Sequence, residues 1–168
     1  CEKRQVPPEN CCFDASGGGI SFAALVHRLW SPRVRSVSSG GKASSKDLKA
    51  EKGPDGKPIR GCDKYANRAT ELWCINVPFL RTRQLRCIPD DLAKELCSRQ
   101  VAKKKGTANL DKIQIESKRD YKDREKQSPD GADAWNLAVS EAVTRHGFRV
   151  SDAPVEGTAP VHPRRAAP

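Results

Sequence analysis

Two aspartates stand on the first turn of a predicted helix near the end of the chain. Asp130 and Asp133 lie in the segment 128–139, where Ser128 can cap the helix and Pro129 suits its first position. Residues three apart fall on one face of a helix, so the two carboxylates share a face. Mg²⁺ and Mn²⁺ prefer oxygen ligands of this kind, and a pair of such ions can promote phosphodiester hydrolysis. The spacing therefore predicts one side of a metal site.

A third aspartate follows a short apolar segment near the start of the chain. Residues 10–14 are typical of a buried strand, and residues 15–19 form a glycine-rich turn. Asp14 is thus predicted at the carboxyl end of a strand, where ligands gather in open α/β sheets. Two of these acids also have a purely structural interpretation. Asp14 can cap the turn, and the charge of Asp130 can interact favourably with the helix dipole. Asp133 is harder to explain structurally, because no cation stands four residues after it.

The composition points to a polyanionic partner. The 168 residues include 31 Lys and Arg against 21 Asp and Glu, a net charge of +10, which suits nucleic acid or an anionic membrane surface. No apolar stretch approaches the ~20 residues of a membrane span, so we expect no membrane partner. Seven cysteines without a C-x-x-C pair indicate reduced thiols in a cytoplasmic protein rather than a zinc site, with a disulfide framework as the minor alternative. The lysines expected to contact DNA are Lys42, Lys103, Lys104, Lys105 and Lys118, although a lysine run is also typical of a solvated turn.

The remaining pattern predicts helices and strands in alternation. A helix over 20–30 should turn Phe22, Leu25, Val26 and Leu29 inward, and a strand over 34–38 should follow it. Residues 39–61 are rich in Gly, Ser, Pro and Lys and are predicted to form a long mobile loop, with a turn at 54–56. Further predictions are a helix over 62–77, a strand over 85–88, a helix over 89–97, a β-hairpin of 100–103 with 113–116, helices over 118–126 and 129–146, and a disordered tail over 150–168.

Four of these segments together resemble a known family. They are Pro8-Glu9-Asn10-Cys11-Cys12-Phe13-Asp14-Ala15-Ser16-Gly17-Gly18-Gly19, Tyr65-Ala66-Asn67-Arg68-Ala69-Thr70-Glu71-Leu72-Trp73, Lys112-Ile113-Gln114-Ile115-Glu116-Ser117-Lys118, and Ser128-Pro129-Asp130-Gly131-Ala132-Asp133-Ala134. In this order and spacing, over about residues 5–148, the chain resembles the C-terminal nuclease domain of the terminase large subunit of phages and prophages. No P-loop motif is present, so no ATP site is expected in this chain.

The resemblance implies an α/β fold of the RNase H-like type, with a mixed sheet flanked by helices and a β-hairpin insertion. It implies a partial nuclease domain over residues 1–149, without the ATPase domain, where ATP would bind, and without the first nuclease strand. Two Mg²⁺ or Mn²⁺ ions would be held by Asp14 and by Asp130 or Asp133, and Glu116 and Lys118 would lie on a hairpin near the DNA.

The same resemblance implies an activity and partners. The parent enzyme would cut double-stranded viral DNA during genome packaging in the cytoplasm of a bacterial host, with the small terminase subunit and the portal or procapsid as partners. The chain alone is expected to be inactive or weak. One alternative is a non-catalytic basic DNA-binding or assembly module, such as a prophage remnant. Another RNase H-like enzyme, such as a resolvase or transposase, would not explain the segment from Asn67 to Trp73.

Overall fold

The protein is a mixed α/β chain built from short helices and two small sheets. The computed structural model describes residues 2–16, 19–102 and 111–151. Lys103, Lys104 and Lys105, the predicted turn at 106–109 and the predicted tail from residue 152 onward lie outside the described residues. The strands are β1 (Cys12–Asp14), β2 (Arg35–Val37), β3 (Asp47–Lys52) and β4 (Pro58–Arg60). The helices are α1 (Gly19–Leu29), α2 (Gly61–Lys64), α3 (Arg68–Cys74), α4 (Val77–Arg81), α5 (Asp90–Ser98), α6 (Lys118–Glu125) and α7 (Asp130–Arg145).

The first unit is a strand, a helix and a parallel strand, as the sequence predicts. β1 pairs with β2 in parallel, with Asp14 opposite Val37. The chain turns sharply between β1 and α1, because a Cβ added at Gly19 would lie 2.4 Å from the carbonyl oxygen of Asp14. Only glycine fits so close an approach of two backbone segments. This turn leaves Asp14 at the open carboxyl end of its strand.

The apolar face of α1 is exposed, which corrects the prediction that it faces inward. Phe22 is 53% exposed, Leu25 43% and Leu29 71%, while Val26 is half-buried. The ring of Phe22 meets that of Phe13 edge-on at 5.5 Å, so the helix does contact the sheet. A two-stranded sheet is too narrow to cover the whole apolar stripe of an amphipathic helix. Periodicity identified the stripe but not the extent of the surface that it meets.

Part of the segment expected to be a long mobile loop forms a β-hairpin. β3 and β4 pair in antiparallel fashion, with Asp47 opposite Arg60. The reversal between them lies at the predicted turn, where Gly53 N–H donates to the Lys57 carbonyl and Gly56 has a φ of +75°. Glycine adopts this left-handed conformation at little cost, which suits the tight reversal.

Three further expectations are changed by the fold. The predicted helix over 62–77 is divided into α2 and α3, because Tyr65 leaves the helix and forms a β-bridge with Ile113. The predicted strand over 85–88 is irregular, and Cys87 has a φ of +55°, which interrupts an extended chain. In the described residues the predicted hairpin is a short antiparallel pairing: Val101 bridges Ile115, with backbone hydrogen bonds from Ala102 to Gln114 and from Glu116 to Gln100.

Helix α7 organises the core. It contacts β1, α3 and α5, and its Leu137 packs with Leu72 of α3 and Val37 of β2. Asn136 accepts a buried hydrogen bond from Asn76, whose side-chain oxygen accepts from the Trp135 indole N–H at 3.1 Å. These contacts fix the rotation of α7 and turn the first-turn residue Asp133 toward the end of β1. Each helix of the described ranges is too short or too polar to cross a membrane.

Replacing Leu72 with alanine should destabilise the fold by about 2–5 kcal/mol, because Leu72 is only 3% exposed and its removal leaves a cavity beside Leu137. The matched control is Leu29→Ala on the exposed face of α1, where the change should stay within about 0.5 kcal/mol. Urea unfolding of both variants measures the difference. Equal destabilisation by the two substitutions would contradict the packing described here.

Candidate active site

A cleft of about 240 Å³ brings together residues from both ends of the chain. Asp14 and Ser39 line one side, and Asp133 of α7 lines another. Lys118 at the start of α6 and Arg99 after α5 also line the cleft. Of the three aspartates predicted from the sequence, Asp14 and Asp133 thus share one cavity. Two aspartates and two cations facing the same space make this cleft the candidate active site.

The Asp14 carboxylate is held by two serines at the end of β1. Its Oδ1 accepts from the Ser16 backbone N–H at 2.9 Å, and its Oδ2 accepts from the Ser39 hydroxyl at 3.0 Å. Burial alone would raise the pKa of Asp14, but these hydrogen bonds outweigh it and lower that pKa. The carboxylate is therefore ionised at neutral pH. Asp14 caps its turn, as the structural interpretation expects, and also faces the cleft.

A buried carboxylate anchors the segment that carries Ser39. Glu71 of α3 accepts from the Ser44 backbone N–H at 2.7 Å and from the Ser44 hydroxyl at 2.5 Å, and it pairs with Arg68 at 2.8 Å. Burial would raise the pKa of Glu71, but the hydrogen bonds from Ser44 and Arg68 outweigh it and lower that pKa. This network ties the loop after β2 to α3, which keeps Ser39 beside Asp14.

Lys118 bridges the two aspartates of α7. Its Nζ donates to Asp130 Oδ1 and to Asp133 Oδ2, each at 2.8 Å. Asp130 also accepts from the Ser128 hydroxyl at 2.6 Å, and its side chain is 75% exposed, so it lies at the rim while Asp133 lines the cleft. Burial would lower the pKa of Lys118, but the two carboxylates outweigh it and raise that pKa. The Lys118 hydrogen bond in turn lowers the pKa of Asp130.

Glu116 lines the cleft, and its carboxylate is already bonded to neighbouring groups. Its buried carboxylate accepts from Arg124 at 2.5 Å and from the Gln100 backbone N–H at 2.9 Å. Its partner Arg124 lies on α6, eight residues further along the chain. Burial would raise the pKa of Glu116, and the partners Arg124 and Gln100 outweigh it and lower that pKa.

Lys42 stands apart from the cleft, and one charged residue that lines it was missed. Lys42 is exposed and does not line the cavity, while Lys103, Lys104 and Lys105 fall in the range that the structure leaves undescribed. The missed residue is Arg99, whose guanidinium stacks on Trp73. No local motif marks Arg99, because its surroundings come from α3, α6 and the segment before α6.

The carboxylates of the cleft and its rim are suitable ligands for a divalent ion. Carboxylate oxygens are the ligands that Mg²⁺ and Mn²⁺ prefer, and Asp14 and Asp130 are ionised because their pKa values are lowered. The position between Asp130 and Asp133 already attracts a cation, the Lys118 ammonium. Within the described residues, no three His, Cys, Asp or Glu side chains lie close enough to hold one ion together. The chemistry of the donors fits, and the chain supplies part of such a site.

Comparison with known proteins adds no assignment. No family model matches the chain, and no curated protein matches it. The function must therefore be argued from the residues of the cleft itself.

Replacing Ser39 with alanine should raise the pKa of Asp14, because Oδ2 loses the hydroxyl that stabilises its charge. A carboxyl group whose pKa is lower in the folded than in the unfolded state stabilises the fold at pH values above its unfolded-state pKa. This stabilisation is lost as the pH falls through the folded-state pKa. The variant should lose part of that stabilisation and unfold at a higher pH during acidification. Carboxyl ¹³C NMR titration measures the pKa, with exposed Ser45→Ala as control. An unchanged Asp14 pKa in Ser39→Ala would refute the assigned hydrogen bond.

Proposed function

We propose that this chain is part of the nuclease domain of a phage or prophage terminase large subunit. In this proposal, the parent protein is a metal-dependent endonuclease that cuts double-stranded viral DNA during genome packaging. The observation that carries the proposal is the meeting of Asp14 and Asp133 in one cleft. These residues belong to the first and last of the four segments that resemble the family.

The arrangement of elements supports an RNase H-like fold as part of the proposal. β1, α1 and β2 form a parallel strand–helix–strand unit with the acid at the carboxyl end of β1. α7 packs on β1 and runs antiparallel to it. Asp133 at the start of α7 lines the same cavity as Asp14 at the end of β1, whereas Glu141 and His146 line a second cavity with Cys12. In open α/β sheets ligands bind outside the carboxyl ends of the strands, and Asp14 lies at such an end.

Asp14 and Asp133 are the residues that would hold Mg²⁺ or Mn²⁺, with Asp130 at the rim. When bound, two such ions stabilise the attacking and leaving oxygens of phosphodiester hydrolysis. Asp133 must release Lys118 before it can bind an ion, and the freed ammonium would then be available to a DNA phosphate. Because the described carboxylates form only part of a two-ion site, we expect this chain to cut DNA poorly or not at all.

Double-stranded DNA is the proposed substrate because the chain carries a net charge of +10. Lys42, Lys103, Lys104 and Lys105 are proposed to bind the DNA backbone. The small terminase subunit, the portal or procapsid and the cytoplasm of a bacterial host are proposed by resemblance alone.

One observation favours the second candidate, a non-catalytic DNA-binding or assembly module. Lys118 bonds both aspartates of α7, and such a pairing can serve purely to join α6 to α7. The two candidates differ in a measurable property, because only the nuclease needs the cleft to bind a divalent ion.

Replacing Asp133 with asparagine should abolish Mn²⁺ binding in the cleft, since the amide carries no charge to attract the ion. In the unchanged chain, Mn²⁺ should broaden the NMR signals of residues around Asp14 and Asp133, and the variant should lose this effect. The control is Asp123→Asn on α6, an acid with 74% side-chain exposure that does not line the cleft. Absence of broadening at the cleft of the unchanged chain would favour the non-catalytic module.

A further inference from the structure

Arg99 lines the cleft but has no role yet in the proposed function. It follows α5, and its guanidinium lies over the ring of Trp73 at 4.8 Å and over that of Tyr121 at 5.4 Å. Tyr121 is fully buried and its hydroxyl is 2.8 Å from the Ser98 hydroxyl, so that ring is fixed. Two aromatic contacts therefore restrict the guanidinium to one place beside the cavity.

The hydrogen bonds of Arg99 are incomplete. Nε and Nη2 both donate to the carbonyl oxygen of Glu116, at 3.1 and 2.9 Å. Nη1 is buried and has no hydrogen-bond partner in the described part of the chain. No carboxylate among those residues lies within 4 Å of this guanidinium, although the charges of Asp133 and Glu116 act on it from further away. Burial lowers the pKa of Arg99, and a half-buried charge without a close counter-ion is costly.

The other cation that lines the cleft has its counter-ions. Lys118 is bonded to Asp130 and Asp133, whereas Arg99 faces the same cavity without an ion pair in the described ranges. An arginine with an unpartnered nitrogen in a fixed plane is suited to phosphate, because the planar guanidinium fork carries a permanent positive charge and donates charge-assisted hydrogen bonds. The stacking also removes much of the entropy that a flexible side chain would lose on binding.

We propose that Arg99 is the phosphate-binding residue of this cleft and that its ligand is a backbone phosphate of duplex DNA. The inference rests on the proposed function, since it takes DNA as the substrate. It adds the group that positions the phosphate near Asp14 and Asp133. Arg99 thereby has two roles, holding the segment before α6 through Glu116 and binding the ligand through the nitrogen that remains.

The test compares two substitutions at Arg99 with one at a distant arginine. Arg99→Gln removes the charge but keeps a donor for the Glu116 carbonyl, and Arg99→Lys keeps the charge without the fork. The control is Arg86→Gln. The exposed Arg86 side chain donates to the Arg83 carbonyl, and this segment contacts the chain just after the C-terminal end of α7. Fluorescence anisotropy with a short labelled DNA duplex gives the affinity of the whole chain at several salt concentrations.

Arg99→Gln should weaken duplex binding about tenfold and reduce the slope of log K against log salt by about one, because one phosphate contact is lost. Arg99→Lys should keep the slope, and Arg86→Gln should keep both slope and affinity. If Arg99 acts only by holding Glu116, both Arg99 variants will lower the melting temperature without changing the slope, and the inference is overturned.

Two further outcomes separate this inference from the proposed function. A wild-type chain that binds no duplex refutes the proposed function and this inference with it, whereas binding with an unchanged Arg99→Gln slope refutes the inference alone. If Arg99→Gln does not fold, the NMR signal of the Arg99 Nε–H in the wild-type chain decides. We expect that signal to shift when duplex is added, and a signal that stays in place overturns the inference.

Discussion

The ammonium of Lys118 between Asp130 and Asp133 is the interaction on which the site depends. Like charges on one face of a helix repel each other, and here a single cation at 2.8 Å from each carboxylate offsets that repulsion. Since Lys118 begins α6 and the two aspartates begin α7, the same contact joins the starts of two helices. Ser117 caps α6 by accepting from the Asp120 backbone N–H, which directs Lys118 toward α7. The cleft is therefore bounded by an ion pair that an incoming cation or anion could rearrange.

The packing behind this ion pair determines what Asp133 faces. Leu137 packs with Leu72 and Val37, and the buried Asn76–Asn136 hydrogen bond links α7 to the end of α3. An unpaired amide in such a place would be costly, so this pair favours one rotation of α7 over its alternatives. With that rotation fixed, Asp133 faces the carboxyl end of β1. The electrostatics of the cleft thus follow from contacts one to two turns away along α7.

Local signals in the sequence predicted some of the elements, and non-local contacts determined the rest. Proline near its start and an apolar stripe made α7 predictable, and a glycine-rich turn placed Asp14 at a strand end. Arg99 could not be found in this way, because its partners Trp73 and Tyr121 are distant in sequence. The exposed face of α1 was missed for a related reason, since periodicity reports an apolar stripe but not what covers it.

The most direct test of the central claim is a crystal structure of the chain grown with Mn²⁺, with anomalous diffraction recorded to locate the metal. The account predicts an anomalous peak in the cleft at the carboxylate of Asp133, with Lys118 Nζ moved out of its bridge between Asp130 and Asp133. A cleft without an anomalous peak, in which Lys118 still bonds both aspartates, would contradict a metal-dependent nuclease site and leave these three residues as a structural link between α6 and α7.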